Sequence, residues 1–224
     1  MIFEESGILV VRHEAIPAAL KDARRWATWR AEMRSEGPRG LYEAPCGVHG
    51  QRGAASATDP ATWSDFSSAR DAYVRQGARA DGLLFASGQG IGCIAIDDCI
   101  DPASGDIDQR AREIIGWIGS YSEKSATGRG VRIIVGYPEA KGCCAGNIEV
   151  YPPGRFLSVT GHHIAGTPME VLGRFEPVNL LRGVLASRQK ARQAGRGVML
   201  PAGRSALQRA STGLVGHLAT RASG

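Results

Sequence analysis

The stretch "GLLFASGQGIGCIAIDDCID", residues 82–101, decides the fold. Two apolar runs flank Ser87-Gly88-Gln89-Gly90, and two such runs joined by a short Gly/Ser segment read as a β-hairpin. The second run ends in the acids Asp97, Asp98 and Asp101. Carboxylates at a strand end suit a divalent cation. Side chains at i and i+2 of a strand share a face, so the partner of Asp97 on its own face is Ala95, while Asp98 points the other way. A metal site, a metal site lacking one carboxylate and a solvated turn all remain open on this stretch alone.

The neighbouring segments supply both helices and strands. Upstream, "IPAALKDARRWATWRAEMR" mixes a short helix with a Trp26-x-x-Trp29 element whose rings belong in a core. "SEGPRGLYEAPCGVHGQRGAASATDPATW" is rich in Gly, Ala, Pro and Ser and reads as an extended loop. Thr58 or Asp59 can cap a helix that Pro60 opens and Gly77 stops. Downstream, "DIDQRAREIIGWIGSYSE" has helical spacing through Ala111, Ile114, Ile115 and Ile118. "GVRIIVGY" and "NIEVYPPGRFLSVTG" read as a second pair of strands. Helices alternating with mostly hairpin-linked strands predict an α+β domain with an antiparallel or mixed sheet. From Pro177 the character changes to "VNLLRGVLASRQKARQAG", an amphipathic helix, followed by a linker and a weaker helical stretch. The expected division is therefore 1–176, the α+β domain, and 177–224, a basic helical tail or linker.

Charge supports that division. The 224 residues hold 27 Lys+Arg against 22 Asp+Glu, a net of +5. From Arg182 onward there are 8 basic residues and no acid, leaving residues 1–181 with a net of −3. A basic tail favours nucleic acid or another polyanion through counterion release, and otherwise reads as a solvated tail. No apolar run approaches the roughly 18 residues of a membrane span, and the N-terminus lacks the order of a signal peptide. A cytoplasmic protein without membrane contact is expected. The five cysteines, Cys46, Cys93, Cys99, Cys143 and Cys144, form no CxxC pair. Their odd number argues against a disulfide framework. Cys46-x2-His49 with Cys143-Cys144 is a weak match to zinc spacing.

Two-metal phosphoryl-transfer sites need carboxylates a few ångströms apart, drawn from neighbouring strands. Glu149, flanked by Ile148 and Val150, is an acid inside an apolar strand, costly unless solvated, paired or metal-bound. Between the acids, Ser125, Thr127, Gly128, Arg129 and Gly130 form a small-residue turn that can present backbone N–H groups to phosphate. Arg129 and Arg132 add positive charge there. Thr160, His162 and His163 end a strand at Gly161, where ligand contacts are common, although terminal histidines are also often merely exposed.

Taken in order, "IPAAL", "RRWATW", "ATDPATWSDFSSA", "GIGCIAIDDCIDPASGDI", "SYSEKSATGRGVRII" and "NIEVYPPGRFLSVTGHH" resemble the bifunctional primase-polymerase domain of phage and plasmid replication proteins. That domain belongs to the archaeo-eukaryotic primase superfamily, and the resemblance covers roughly residues 16–161. It implies the two-part α+β primase fold with an RRM-like sheet. It also implies Mg2+ or Mn2+, NTP or dNTP substrates, a single-stranded DNA template or primer-template, and a replicative helicase as a partner. In the family an Asp-x-Asp at a strand end holds metal. Its second Asp falls on Asp97 and its first on Ala95. Asp98 is a further metal candidate only if the strand breaks. Glu149 fits the third motif. The Ser125–Gly130 turn fits the second, with Arg132 at the position of a phosphate-contacting histidine, and His162 and His163 join the nucleotide set. Arg155, with Arg188, Lys190 and Arg192 of the tail, is expected to meet nucleic acid.

Ala95 departs from the pattern, and is read as a substitution silencing an "IDIDDCID" site or as a naturally degenerate binding version. The resemblance implies a DNA primase/DNA polymerase, a nucleotidyltransferase serving phage or plasmid replication in a bacterial host. The alternative is a non-catalytic module for single-stranded DNA or a replication origin. A nuclease using the same acids is a weaker third.

Overall fold

The computed structural model describes residues 7–33, 41–49, 54–76, 80–137 and 141–193. Among the described residues, nine strands form two sheets. The first, in the order β2-β1-β3-β9, comprises Trp26–Met33 (β1), Leu41–Cys46 (β2), Gly82–Ala86 (β3) and Phe156–Val159 (β9). The second, in the order β5-β6-β4-β8-β7, comprises Ile91–Ile96 (β4), Ser122–Lys124 (β5), Val131–Gly136 (β6), Cys143–Ala145 (β7) and Ile148–Val150 (β8). The α-helices are Ala18–Lys21 (α1), Phe66–Gln76 (α2), Gln109–Ile118 (α3) and Phe175–Gln193 (α4). Every strand-to-strand ladder is antiparallel. The fold class is α+β, as the sequence implies.

The expected hairpin over residues 82–97 is not one. β3 and β4 lie in different sheets and share only an isolated bridge, Gly88↔Ile91. The segment between them is a crossing, with Gln89 (φ 51°) and Gly90 (φ 85°) in the left-handed region. Arg25 holds it by donating to the carbonyls of Ser87 and Gly88, with its guanidinium over the rings of Trp63 and Phe85. All of β3 is buried, and so is β4 from Cys93 to Ile96. Neither run therefore shows the polar alternation of a half-exposed hairpin. In the same way "NIEVYPPGRFLSVTG" splits, β8 joining the second sheet and β9 the first, and β6 reaches β8 only across β4.

Two further expectations are corrected. The extended loop contains β2, an edge strand paired with β1 from Thr28↔Cys46 to Met33↔Leu41. Its "LYEAPC" sequence has no β-branched residue, and Pro45 is tolerated because the strand is at an edge. The helix expected from Pro60 is a single 3-10 turn, Pro60–Thr62, with the Asp59 side chain accepting from the Ala61 amide. The chain then extends to bridge Trp26 through Ser64, and α2 begins at Phe66, where Asp65 accepts from the Ser68 amide. The Gly77 stop and the stretch beyond residue 193 lie outside the described residues.

α3 forms where its spacing requires, with Ala111, Ile114, Ile115 and Ile118 buried. Asp108 caps it by accepting from the Ala111 amide at 2.7 Å. Asp108→Ala is expected to lower unfolding stability by about 1 kcal/mol, read from urea unfolding.

The chain divides into two units, Met1–Ala186 and Ser187–Gly224. In the first, α3 and the α4 residues Val178, Leu181 and Leu185 pack on Ile94, Ile96, Val131, Ile133, Val135, Ile148 and Val150, one face of the second sheet. The opposite face gives Cys93 and Ile134 to a core with Trp26, Leu83, Phe85, Leu157 and Val159 of the first sheet. Trp26 and Trp29 are both core residues. The opening turns of the segment read as a tail are thus part of the first unit's core. Among the described residues no helix is long and apolar enough to cross a membrane.

Candidate active site

Strand register brings the sequence candidates into one row. Ala95 stands directly opposite Arg132 of β6 on one side and Glu149 of β8 on the other. Arg132 in turn pairs with Glu123 of β5, and Glu149 with Cys144 of β7. Directly paired residues project to the same face of a sheet, so Glu123, Arg132, Ala95, Glu149 and Cys144 form a line across five strands. Asp97 lies two residues beyond Ala95, on the same face.

Asp97 is the first residue past the strand end. Its amide donates to the Asn147 carbonyl at 2.8 Å, and the Asn147 side chain returns a bond to its own carbonyl at 2.7 Å. Its carboxylate accepts from Arg132 Nη1 at 2.9 Å. The Arg132 side chain is 13% exposed, against 57% for Asp97. Both hydrogen bonds of the guanidinium leave from Nη1, to Asp97 and to the Val131 carbonyl, so Nε and Nη2 retain donor capacity. Asp98 turns away at φ 45° and pairs with Arg129 at 3.2 Å on the exposed surface. The strand therefore does break at Asp98, but its carboxylate faces Arg129. Glu149 faces Arg155 at 4.0 Å, and the Arg155 guanidinium lies 5.0 Å from the Tyr151 ring centre.

The Ser125–Gly130 turn packs against this strand end. Ser125 Oγ accepts from the Gly130 amide at 3.0 Å and meets Thr127 Oγ1 at 3.3 Å. A Cβ on Gly130 would lie 2.7 Å from the Ile96 carbonyl oxygen and 3.2 Å from Asp97 Cα. Only glycine permits that approach, which sets the turn beside Asp97. The Arg129 carbonyl also accepts from the Ile100 amide.

The end of β9 adjoins the same turn. Lys124 donates its amide to the His162 carbonyl, and Thr160 Oγ1 donates to the Lys124 carbonyl. The two histidine rings are engaged within the protein. His162 Nε2 contacts the Val10 carbonyl at 2.7 Å, and burial holds its pKa below the ordinary value. His163 contacts Thr167 Oγ1 at 2.9 Å and stacks on Tyr121. Residues 9–12 cross both loops, since Leu9 donates to Ala126 and Arg12 to Thr160.

Arg188 and Lys190 belong to α4 beyond Ala186, in the second unit. The side chain of Arg192 lies outside the described residues. Among the described residues no three His, Cys, Asp or Glu side chains are grouped so as to hold a metal ion. Position 95 offers a methyl, and Asp97 Oδ1 accepts from a guanidinium.

No family model matches the chain. Among curated proteins it is similar to the DNA primase-polymerase of Nitratiruptor phage NrS-1, 29% identical over a 175-residue alignment that covers 71% of this chain. The match supports a primase-polymerase domain. The chain spans only 23% of that relative's length.

Two further acids near Arg132 fall outside the motifs read from the sequence. Glu123 is fully buried and accepts from the Thr160 amide at 2.9 Å, the Gly161 amide at 2.8 Å and the Tyr121 hydroxyl at 2.8 Å. Burial raises its pKa to about 7, against these three bonds and the charge of Arg132. Glu43, on β2 of the other sheet, is raised by burial, then lowered by Arg132 and a Ser158 hydroxyl bond and raised again by Asp97. Neither was singled out in the sequence, because Glu123 closes the stretch read with helical spacing and "LYEAPC" lies in the stretch read as a loop.

Proposed function

We propose that this chain is the primase-polymerase domain of a phage-type replication protein, built to hold a nucleoside triphosphate and a DNA strand for template-dependent nucleotidyl transfer. The observation that carries the reading is the row Arg132–Ala95–Glu149, with Asp97 at its end and the Ser125–Gly130 turn beside it. The amides of Ser125, Gly128 and Gly130 are bonded within the turn, so the guanidinium groups of Arg129 and Arg132 are what suit a triphosphate here. Arg155, exposed beside Tyr151, suits a strand whose bases stack and whose phosphates need charge. The relative's printed name, DNA primase-polymerase, agrees in kind. Partnership with a replicative helicase, action in a bacterial cytoplasm and the basic segment around Arg188, Lys190 and Arg192 as a further DNA contact belong to the same proposal.

The chemical step needs carboxylates that hold Mg2+ or Mn2+, and Ala95 withholds one. A second reading, a domain that binds DNA and nucleotide without catalysis, is favoured by that residue and by the Asp97–Arg132 pair. Fluorescent triphosphate and single-stranded DNA titrations, run beside primer extension, test the proposal. Salt-sensitive DNA binding and saturable triphosphate binding are expected, and absence of triphosphate binding would refute it. Brisk extension by the chain as it stands would rule out the second reading. Arg155→Ala is expected to reduce the slope of log affinity against log salt by about 1.

A further inference from the structure

We infer that the Arg132 guanidinium is the resident cation of this site, so that a nucleoside triphosphate binds there without a divalent metal. The inference rests on the nucleotide-binding reading above and specifies its charge chemistry. Ala95 is the direct cross-strand neighbour of both Arg132 and Glu149. Its methyl is buried and offers no donor or acceptor. The long Arg132 side chain reaches from β6 to the Asp97 carboxylate at 2.9 Å. Asp97 accepts its hydrogen bond, and Glu123 on β5 and Glu149 on the far side of Ala95 stand in the same cross-strand row. One permanent positive charge therefore stands within this row of acids. A divalent ion drawn to Asp97 would have to displace the guanidinium or share the carboxylate with it, against like-charge repulsion.

Residues 95 and 132 act as a pair. An aspartate at 95 would place its carboxylate directly opposite Arg132 and form an ion pair with it, so restoring the acid alone does not rebuild a metal site. Restoring metal binding requires removing the guanidinium as well. A guanidinium also suits the ligand, because its planar fork binds phosphate oxygens bidentately and stays charged at every working pH.

The test has two arms. In the first, Mn2+ binding without nucleotide is followed by the loss of the free-ion paramagnetic resonance signal. The chain, Ala95→Asp, Arg132→His and the double variant Ala95→Asp/Arg132→His are compared, with thermal unfolding as the check on folding. Saturable binding is expected only in the double variant. Saturable binding by the unsubstituted chain would overturn the inference, and that measurement stands even if a variant fails to fold. In the second arm, ATP and dATP affinity is measured by calorimetry on the unsubstituted chain in EDTA and in Mg2+. The two conditions are expected to agree within about threefold, whereas a loss beyond about tenfold in EDTA overturns the inference. No binding under either condition would refute the nucleotide-binding reading, while the Mn2+ arm would still decide whether Arg132 holds the cation position.

Discussion

Glu123→Ala is expected to lower unfolding stability by about 3 kcal/mol in urea titrations at neutral pH. The substitution strands the Thr160 and Gly161 amides, which both donate to this carboxylate in the interior. A buried donor left without an acceptor costs about 1–3 kcal/mol. The Tyr121 hydroxyl loses the same partner, although the Ala15 carbonyl lies 3.4 Å away and limits that part of the loss. These bonds join β5 of one sheet to the end of β9 in the other. Loosening them is also expected to free the turn at Ser125 and the strand end at Thr160. Faster amide exchange at Thr160 and Gly161 than at Ile133 and Ile134 would show that local effect, and uniform acceleration would argue against it.

The same residue sets a pH dependence. The folded-state pKa of Glu123 is raised to about 7, from an ordinary 4.5. Between those values the native protein holds a proton that the unfolded chain has released, so stability falls as pH rises through the window. The span is about 2–3 kcal/mol from this group alone. Glu123→Gln cannot titrate and is expected to flatten the profile between about pH 4.5 and 7. An unchanged slope in that variant would assign the dependence elsewhere, with Glu43 the next candidate, since its carboxyl is raised as well.

The parts of the fold that repeat were legible in the sequence. α3 shows its helical spacing, and Ala111, Ile114, Ile115 and Ile118 are buried as that spacing requires. The candidate residues Asp97, Glu149 and the Ser125–Gly130 turn were picked from motifs whose order is informative, and the structure sets the turn beside Asp97 and pairs Glu149 with Ala95. Pairing was not legible. β3 and β4 look like two arms of a hairpin, yet a continuous apolar run does not say which sheet it enters. β2, β5 and β7 are edge strands of mixed sequence, and an edge strand has only one neighbour to impose a pattern. Glu123 and Glu43 were missed for that reason. The histidines were visible as a pair, but their engagement by Val10 and Thr167 depends on contacts from an N-terminal segment and a later turn.

Arg132→Met should disturb both stability and binding, because one guanidinium serves several acids. Methionine keeps the length and apolar stem of the side chain and removes only the charge and donors. Asp97 is more than half exposed and can recover water, which limits its share of the loss. Glu123 has no such recourse, and the charge of Arg132 lowers the pKa of both Glu123 and Glu43. Without that charge both carboxyls rise further. The fall in stability with pH is then expected to extend above about 7, where the unsubstituted protein levels off, with a cost of about 2 kcal/mol at pH 8. Triphosphate affinity in EDTA is expected to drop about tenfold to a hundredfold, the range for losing charge-assisted hydrogen bonds. The two readouts separate the roles. A shifted pH profile with unchanged triphosphate affinity would leave Arg132 as a counterion to the acids and nothing more. Lost affinity with an unchanged profile would place it at the phosphates and detach it from Glu123. The cross-strand pairing Glu123↔Arg132↔Ala95 requires both effects together, and Glu123→Gln/Arg132→Met should show the second in full and the first only through Glu43.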